Sequence, residues 1–246
     1  MASEATGNGS AVVLGVGPGL GAALVGRFAA GGLAVAAAAR RAAEVESIAG
    51  ACRADGRRIQ AYGVDARDED AVAGLLERVE ADLGPIRLAV YNAASFPRAS
   101  ILDLTAEQYR GAWETCCFGG FLFGREAAKR VAPRGAGTIL FTGATASLRG
   151  GAQFAAFASG KFALRALAQS MARELQPKGL HIAHVVIDGG IDTARGRAAY
   201  PERFKDRPKD AFLAPEAIAE AYWQLHQQPK SAWSHEIDLR PWVEKF

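Results

Sequence analysis

Residues 11–21 of this 246-residue chain, AVVLGVGPGLG, are the first indication of its fold. The segment opens with a short apolar run, which is typical of a buried parallel strand. Gly15 allows a tight turn, Gly19 lets backbone N–H groups approach a pyrophosphate, and Gly21 lets a helix pack closely. The pattern that follows predicts the helix Leu20–Ala30, whose first turn would hold phosphates. An ordinary turn between a strand and a helix is the alternative interpretation.

The same alternation of strand and helix continues along the chain. It predicts one α/β domain, a Rossmann-type doubly wound sheet of about seven parallel strands with helices on both faces. Strands are predicted at residues 11–16, 33–39, 57–64, 86–91, 138–142, 180–187 and 233–239. Helices are predicted at residues 20–30, 69–83, 107–131, 153–176 and 216–227. Residues 1–10 are small and polar and are predicted to form a flexible lead, with the single domain occupying residues 11–246.

Composition argues against several classes of function. The net charge is only +3 and no basic run occurs, so a small-molecule substrate is expected rather than nucleic acid or a membrane. The three cysteines, of which Cys116 and Cys117 are adjacent, make no disulfide framework, and no metal site is expected. His181 and His184 are three apart in a predicted strand and therefore face opposite sides. Since no secretory or membrane-spanning pattern occurs, a cytoplasmic location is expected.

The second predicted strand is followed by two arginines, Arg40 and Arg41. In dinucleotide-binding folds an acidic residue about 20 positions after the glycines binds the free ribose 2′-hydroxyl. Ala39 stands at that position here, and the two guanidiniums suit bidentate contact with a phosphate. The pattern predicts a 2′-phosphate site and therefore NADP(H) as cofactor. The alternative is a solvated arginine pair that opens the next helix.

Residues 137–193 carry a second pattern, GTILFTGATASLRGGAQFAAFASGKFALRALAQSMARELQPKGLHIAHVVIDGGIDT. It comprises a strand, a loop of small residues, a long helix with Lys161, another strand and a Gly-Gly turn. With GVGPGLG near the start of the chain and YNAAS around Asn92, this order resembles the short-chain dehydrogenase/reductase family over about residues 12–239. The resemblance implies the strand order 3-2-1-4-5-6-7, a nicotinamide cofactor and assembly as a homodimer or homotetramer.

The resemblance also implies which residues contact the cofactor. Asp65 matches the residue that bonds the adenine edge, although Asp65 or Asp68 also suits the N-cap of the next helix. Asn92 matches the residue that braces the glycine turn, and Ala93 leaves room for the adenosine ribose. The expected cofactor residues are Gly15, Gly19, Leu20, Gly21, Arg40, Arg41, Asp65, Asn92, Ala93, Lys161, Gly189, Ile191 and Thr193.

The catalytic pattern of the family is incomplete in this chain. The family carries a Tyr four residues before the Lys and a Ser thirteen residues before the Tyr, and Phe157 and Ala144 stand at those positions. Alignment of Gly119 puts Cys116 at the position of the family's Asn. Lys161 is therefore the one expected catalytic residue. The substrate pocket is expected to contain Cys116, Ala144, Phe157 and Tyr200.

Residues 192–214 are polar and basic, with Tyr200 and Phe204 among them. By analogy with the family, this segment is expected to be a mobile lid over the substrate. A plain solvated connection is the alternative. The aromatic tail, residues 240–246, suits a subunit contact or a lip over a neighbouring site.

Three functions are compatible with these motifs. Phe cannot donate a proton and Ala cannot donate a hydrogen bond, and losing a general acid costs roughly 10²–10⁴-fold in rate. The favoured function is an NADP(H)-dependent oxidoreductase with a non-standard active site that reduces an imine or another activated acceptor. The second is a non-catalytic NADP(H)-binding sensor or scaffold. The third is a carbonyl reductase whose acid is relocated to Thr145, Ser147, Ser159 or Tyr200.

Overall fold

The computed structural model describes residues 9–53 and 56–245 of the chain. Within these residues, seven parallel strands form one sheet in the order β3-β2-β1-β4-β5-β6-β7. The strands are β1 (Ser10–Leu14), β2 (Ala34–Ala39), β3 (Ile59–Gly63), β4 (Ile86–Tyr91), β5 (Gly137–Thr142), β6 (Leu180–Ile187) and β7 (Glu236–Leu239). The predicted fold class and strand order are confirmed.

Helices cover both faces of the sheet. They are α1 (Leu20–Ala30), α2 (Ala42–Cys52), α3 (Glu69–Leu83), α4 (Ala106–Trp113), α5 (Gly119–Val131), α6 (Ala155–Leu175), α7 (Ala194–Ala199), α8 (Pro201–Phe204) and α9 (Pro215–Gln227). Successive side chains of β1 point to opposite faces of the sheet. Val12 and Leu14 join the core formed with α3, α5 and α6. Ala11 and Val13 join the core formed with α1, α2 and α9. Both faces of the sheet are therefore buried, as a doubly wound fold requires.

The first strand is shifted from its predicted position. Ser10, which the sequence placed in the flexible lead, is fully buried in β1, and its hydroxyl donates to the Gly84 carbonyl oxygen (2.8 Å). Ser10 therefore belongs to the sheet and not to the predicted lead, and residues 1–8 of that prediction lie outside the described residues. The strand ends at Leu14 because the glycine after it adopts a φ of +106°.

Other predicted boundaries shift by a few residues for local reasons. Leu33 and Val64 are buried but lie just outside β2 and β3, so their apolar character extended the predicted strands. Helix α6 begins later than predicted because Gln153 has a φ of +69°, which a helix does not allow. Strand β7 begins at Glu236 rather than at residue 233, and the Ser234 N–H donates to Gln228 Oε1 (2.7 Å).

The predicted helix over residues 107–131 is interrupted. A π-helical turn, Glu114–Phe118, separates α4 from α5. The Tyr91 hydroxyl donates to the Thr115 carbonyl oxygen (2.5 Å). A side chain that hydrogen-bonds a backbone carbonyl of the helix in this way favours such a bulge. The bulge contains Cys116, which is fully buried, so this residue is displaced from the regular helix that the sequence predicted.

Two predicted N-caps are present. Asp68, one of the two alternatives at α3, accepts from the Ala71 N–H (3.0 Å). Thr105 caps α4 through a reciprocal pair of hydrogen bonds with Gln108. The segment of residues 192–214, called the lid segment below, contains the short helices α7 and α8.

The carboxyl ends of the parallel strands lie at one edge of the sheet. The turns after β1, β4, β5 and β6 meet there, and open α/β sheets bind their ligands at this edge. None of the helices in residues 9–53 and 56–245 combines the length and the apolar composition needed to cross a membrane.

Candidate active site at the carboxyl edge of the sheet

A cavity of about 750 Å³ opens at the carboxyl edge of the sheet. Its walls come from the turns after β1, β4, β5 and β6, from the start of α6 and from the lid segment. The predicted site residues that line it are Gly15, Gly19, Leu20, Gly21, Asn92, Ala144, Phe157, Lys161, Gly189, Ile191 and Thr193. A cavity of this size is typical of sites for cofactors and small molecules.

The turn after β1 approaches its neighbours too closely for side chains. A Cβ placed on Gly15 would lie 2.2 Å from the Ala93 nitrogen, and a Cβ on Gly19 would lie 2.7 Å from Thr193 Cγ2. The Asn92 side-chain amide donates to the Gly15 carbonyl oxygen (2.9 Å) and ties the turn to the end of β4. The turn is therefore fixed by contacts with the loops after two other strands.

The start of α1 faces the cavity. A Cβ on Gly21 would lie 2.7 Å from Val16 Cα, so glycine is needed for α1 to pack against the turn. The first turn of α1 carries no acidic side chain, and a Cβ on Gly17 would meet nothing within 4 Å. Free N–H groups and the helix dipole at such an N-terminus favour a phosphate. These residues fit the pyrophosphate of a dinucleotide.

Lys161 lies on α6 at the wall of the cavity. The residue is 2% exposed, and its Nζ donates to the Thr142 carbonyl oxygen (2.7 Å). Burial lowers the pKa of Lys161 from its ordinary value. The Nζ lies 5.7 Å from the ring centre of Phe157, which is one turn earlier on the same helix face. An ammonium group has three donors, so this side chain can also hold hydroxyl groups of a ligand.

Phe157 belongs to an aromatic cluster that the sequence analysis did not single out. The ring centre of Phe96 lies 4.7 Å from that of Phe157 in an edge-to-face arrangement, and 5.3 Å from that of Phe154. All three side chains line the cavity, as does Ala144 in the turn after β5. Phe96 follows β4 at the carboxyl edge, and that position was the available signal for it. We call Phe96, Phe154 and Phe157 the aromatic wall.

The hydroxyl nearest to Ala144 along the chain is held by a buried carboxylate. Thr145 lines the cavity, and its Oγ1 donates to Asp188 Oδ1 (2.7 Å). The Asp188 side chain is 2% exposed and lies 3.6 Å from Arg240 Nε and 3.8 Å from Arg149 Nη2. The proton of Thr145 is therefore directed away from the cavity.

The other candidate hydroxyls are also engaged or distant. Ser147 is fully buried and lies 3.4 Å from His184 Nε2, and burial lowers the pKa of His184 to about 4, so this ring is neutral at neutral pH. Ser159 donates to the carbonyl oxygen one turn earlier in α6 (2.8 Å). Tyr200 is 55% exposed and lies outside the lining of the cavity. In the described part of the chain, no group of three His, Cys, Asp or Glu side chains could hold a metal ion.

Five other predicted site residues also lie outside the lining of this cavity: Arg40, Arg41, Asp65, Ala93 and Cys116. Arg40 is exposed at a neighbouring groove, whereas Arg41 pairs with Glu44 (2.6 Å). A hydrogen bond from Arg67 holds the pKa of Asp65 below its usual range. The thiol of Cys116 lies 3.5 Å from the Ser95 carbonyl oxygen, behind the cavity rather than in it.

Three arginines that the sequence analysis did not assign line the cavity. Arg149 follows the turn after β5, and Arg195 and Arg203 belong to the lid segment. By contrast, Arg197 of the same segment is paired with Asp192 through two contacts of 2.6 and 2.5 Å. The basic composition of the lid segment was the available signal, but it did not separate the arginines that face the cavity from the one that is neutralised.

The fold and the glycine turn define a dinucleotide-binding protein of the Rossmann class. Residues 10–203 match the family model for short chain dehydrogenase. The chain therefore belongs to the short-chain dehydrogenase/reductase family, whose members use nicotinamide cofactors, and it is an oxidoreductase of that type.

Relatives and solved structures agree with this assignment. The chain is 32% identical over 169 residues to the 3-oxoacyl-[acyl-carrier-protein] reductase MabA of Mycobacterium avium, covering 68% of this chain and 66% of the relative. It is 29% identical to the cis-4-hydroxycyclohexanecarboxylate dehydrogenase of Sinomonas cyclohexanicum, covering 86% of each. A solved short-chain dehydrogenase from Rhodopseudomonas palustris is 43% identical, with a TM-score of 0.79 over 94% of this chain and 99% of the other.

Proposed function

We propose that this protein is an NADP(H)-dependent oxidoreductase whose acceptor needs no proton from a tyrosine, such as an imine that is protonated before hydride transfer. The observation that carries this proposal is the pairing of a retained lysine with apolar neighbours. Lys161 is buried beside the cavity, and Phe157 and Ala144 line it. By the sequence resemblance, these two residues stand at the positions of the family's Tyr and Ser. The site keeps the means to hold a cofactor ribose and offers no phenol to a carbonyl oxygen.

The surroundings of the candidate hydroxyl groups argue against a relocated acid and so support the same proposal. The Thr145 hydroxyl donates its hydrogen bond to Asp188, and the Ser159 hydroxyl donates to a helix carbonyl oxygen. Ser147 is buried outside the lining beside the neutral imidazole of His184, and Tyr200 also lies outside the lining. A ketone needs a proton on its oxygen as hydride arrives, and none of these groups is placed to give one.

An iminium substrate removes that requirement. Hydride addition to the carbon of a C=N⁺–H group forms a C–H bond and moves the π electron pair onto nitrogen. The product is a neutral amine, so the protein has no proton to supply. NADPH supplies the hydride when it is bound. The aromatic wall and Lys161 then have to orient the two partners, and orientation alone can contribute several kcal/mol.

The preference for NADP(H) is supported by the different surroundings of the two arginines after β2. No acidic side chain of the described residues lies within ion-pair distance of Arg40, although its charge helps to lower the pKa of Asp65. Arg41, by contrast, is already paired with Glu44. A guanidinium without a close ion pair is the better partner for a 2′-phosphate. Arg40 is therefore the main proposed contact and Arg41 a secondary one.

NADPH oxidation measured with matched cyclic imines, ketones and enones tests the proposal. We expect turnover with the imines and slow or no turnover with simple ketones. High ketone activity would favour a carbonyl reductase with an acid from elsewhere. Tight NADPH binding with no turnover on any of the three classes would favour a non-catalytic sensor or scaffold and overturn the proposal.

A further inference from the structure

We propose that the acceptor carries a carboxylate and that Arg149 and Arg203 bind it, so that the cavity contains an anion subsite beside the aromatic wall. This inference rests on the proposed function, because it names the class of substrate for the same site. Its basis is the distribution of charge around the cavity, which the sequence analysis did not use.

The charges that line the cavity are all of one sign. The lining contains Arg149, Lys161, Arg195 and Arg203, and it contains no Asp or Glu from the described residues. Asp188 lies beneath the lining with its side chain 2% exposed, where it accepts from Thr145 and lies 3.6 Å from Arg240 and 3.8 Å from Arg149. A simple iminium would add another positive charge to this cavity. An acceptor with a carboxylate is neutral overall and gives the guanidiniums a partner.

The arginines of the lid segment differ in whether a partner is present. Within residues 9–53 and 56–245, no acidic side chain lies within ion-pair distance of Arg195 or Arg203. Arg197, two residues after Arg195, is paired with Asp192 and does not line the cavity. Arg197 is therefore neutralised within the segment, whereas Arg195 and Arg203, which line the cavity, have no acidic partner among the described residues.

Two oxyanions could meet these guanidiniums: the cofactor's phosphates or a carboxylate of the acceptor. Arg195 lies two residues after Thr193. Since Thr193 is close to Gly19, where the cofactor's phosphates are proposed to bind, Arg195 suits the cofactor. The Arg203 guanidinium lies against the Gly189–Gly190 turn, since a Cβ on Gly190 would lie 3.6 Å from its Nη2. This turn follows β6, which lies next to β5 in the sheet and is separated from β1 by β4 and β5.

Arg149 lies on the substrate side of the cavity. It directly precedes Gly150 and Gly151, and a Cβ on Gly151 would lie 3.3 Å from Phe154 of the aromatic wall. Its present contacts are long, 3.4 Å to the Lys245 carbonyl oxygen and 3.8 Å to Asp188. A bidentate carboxylate contact is stronger than either of these. Arg149 and Arg203 are therefore assigned to the acceptor.

Binding to the complex with NADP⁺ tests the subsite without requiring turnover. Isothermal titration would compare pyrrole-2-carboxylate with its neutral amide, pyrrole-2-carboxamide, on protein saturated with NADP⁺. We expect the carboxylate to bind at least about tenfold more tightly, the size of effect expected for a charge-assisted contact. Arg203→Gln and Arg149→Gln should each remove most of this difference. Arg207→Gln, which removes the same charge from the lid segment outside the lining, should preserve it.

The outcomes separate the two sources of the oxyanion. An unchanged dissociation constant for NADPH in Arg203→Gln supports the subsite for the acceptor. A loss of NADPH affinity that matches the loss of carboxylate affinity would assign the arginines to the cofactor's phosphates and overturn the inference. Equal affinity for the acid and the amide, or no binding of either, would also overturn it. A carboxylate preference without imine turnover would retain the subsite and reject the proposed reaction.

Discussion

The two ends of the cavity are built in opposite ways. At the proposed cofactor end, the turn after β1 packs directly against the backbone of the loop after β4, and Gly15 has no room for a Cβ. At the other end, side chains form the surface of the cavity, and the aromatic wall and Ala144 are largely apolar. One end of the cavity is therefore set by close backbone packing, whereas the chemistry of the other end depends on a few side chains.

The largest effect should come from the backbone of the cofactor end. Gly15→Ala places a Cβ 2.2 Å from the Ala93 nitrogen at a φ of +106°, so both strain and overlap oppose it. We expect a loss of about 3 kcal/mol or more in the free energy of unfolding, measured in urea. Gly17→Ala is the matched control, since its Cβ meets nothing within 4 Å, and it should cost less than about 0.5 kcal/mol. Similar losses in both variants would contradict the described turn.

Lys161 lies at the wall of the cavity, and its removal should weaken the binding of the cofactor. Lys161→Ala deletes a buried ammonium proposed to hold the nicotinamide ribose, and hydrogen bonds from charged donors are worth about 1.5–3 kcal/mol. We expect NADPH to bind roughly thirtyfold more weakly in a fluorescence titration. The exposed Lys178→Ala is the control. Unchanged binding would show that α6 does not present Lys161 to the cofactor.

The arginines after β2 test the outer part of the cofactor end. NADPH should bind at least about tenfold more tightly than NADH, and Arg40→Ala should remove most of that difference. Arg41→Ala should remove less, because Arg41 is already paired with Glu44. Dissociation constants for both cofactors in the three proteins give the comparison. Equal affinity for NADPH and NADH in the unchanged protein would reject the 2′-phosphate site.

The smallest effect should come from rebuilding the substrate end. Phe157→Tyr with Ala144→Ser restores a phenol and a hydroxyl beside Lys161, whose charge lowers the pKa of a nearby phenol. We expect ketone reduction to rise about tenfold, a modest part of the ~10²–10⁴-fold general-acid factor, because the cavity was not shaped around these groups. Imine reduction should fall or stay level.

The control for that experiment is the affinity for NADPH, which should not change if the double variant is folded. Steady-state rates on a ketone and an imine of matched size provide the readout. Ketone reduction that is already fast in the unchanged protein, and that the two substitutions do not alter, would mean that the proton comes from another group. In that case Phe157 and Ala144 would not be replaced catalytic positions.

The strands and the helix face that Lys161 shares with Phe157 could be predicted from the residues alone, because they depend on local periods and on spacing along one helix. The strand order came from the family resemblance, since local periods do not say which strands are neighbours. Gly15 was also identifiable, because the need for a positive φ is a property of one residue in one turn.

The contacts among charged and polar groups could not be predicted from the sequence, because they depend on how distant elements pack. Asp188 approaches Thr145, and Arg203 approaches the Gly189–Gly190 turn, because separate loops converge at the carboxyl edge of the sheet. The Tyr91 hydroxyl likewise reaches Thr115 from another element and widens the helix around Cys116. Such pairs are set by the packing of elements that are distant along the chain, and the period of one segment carries no information about the side chains of another.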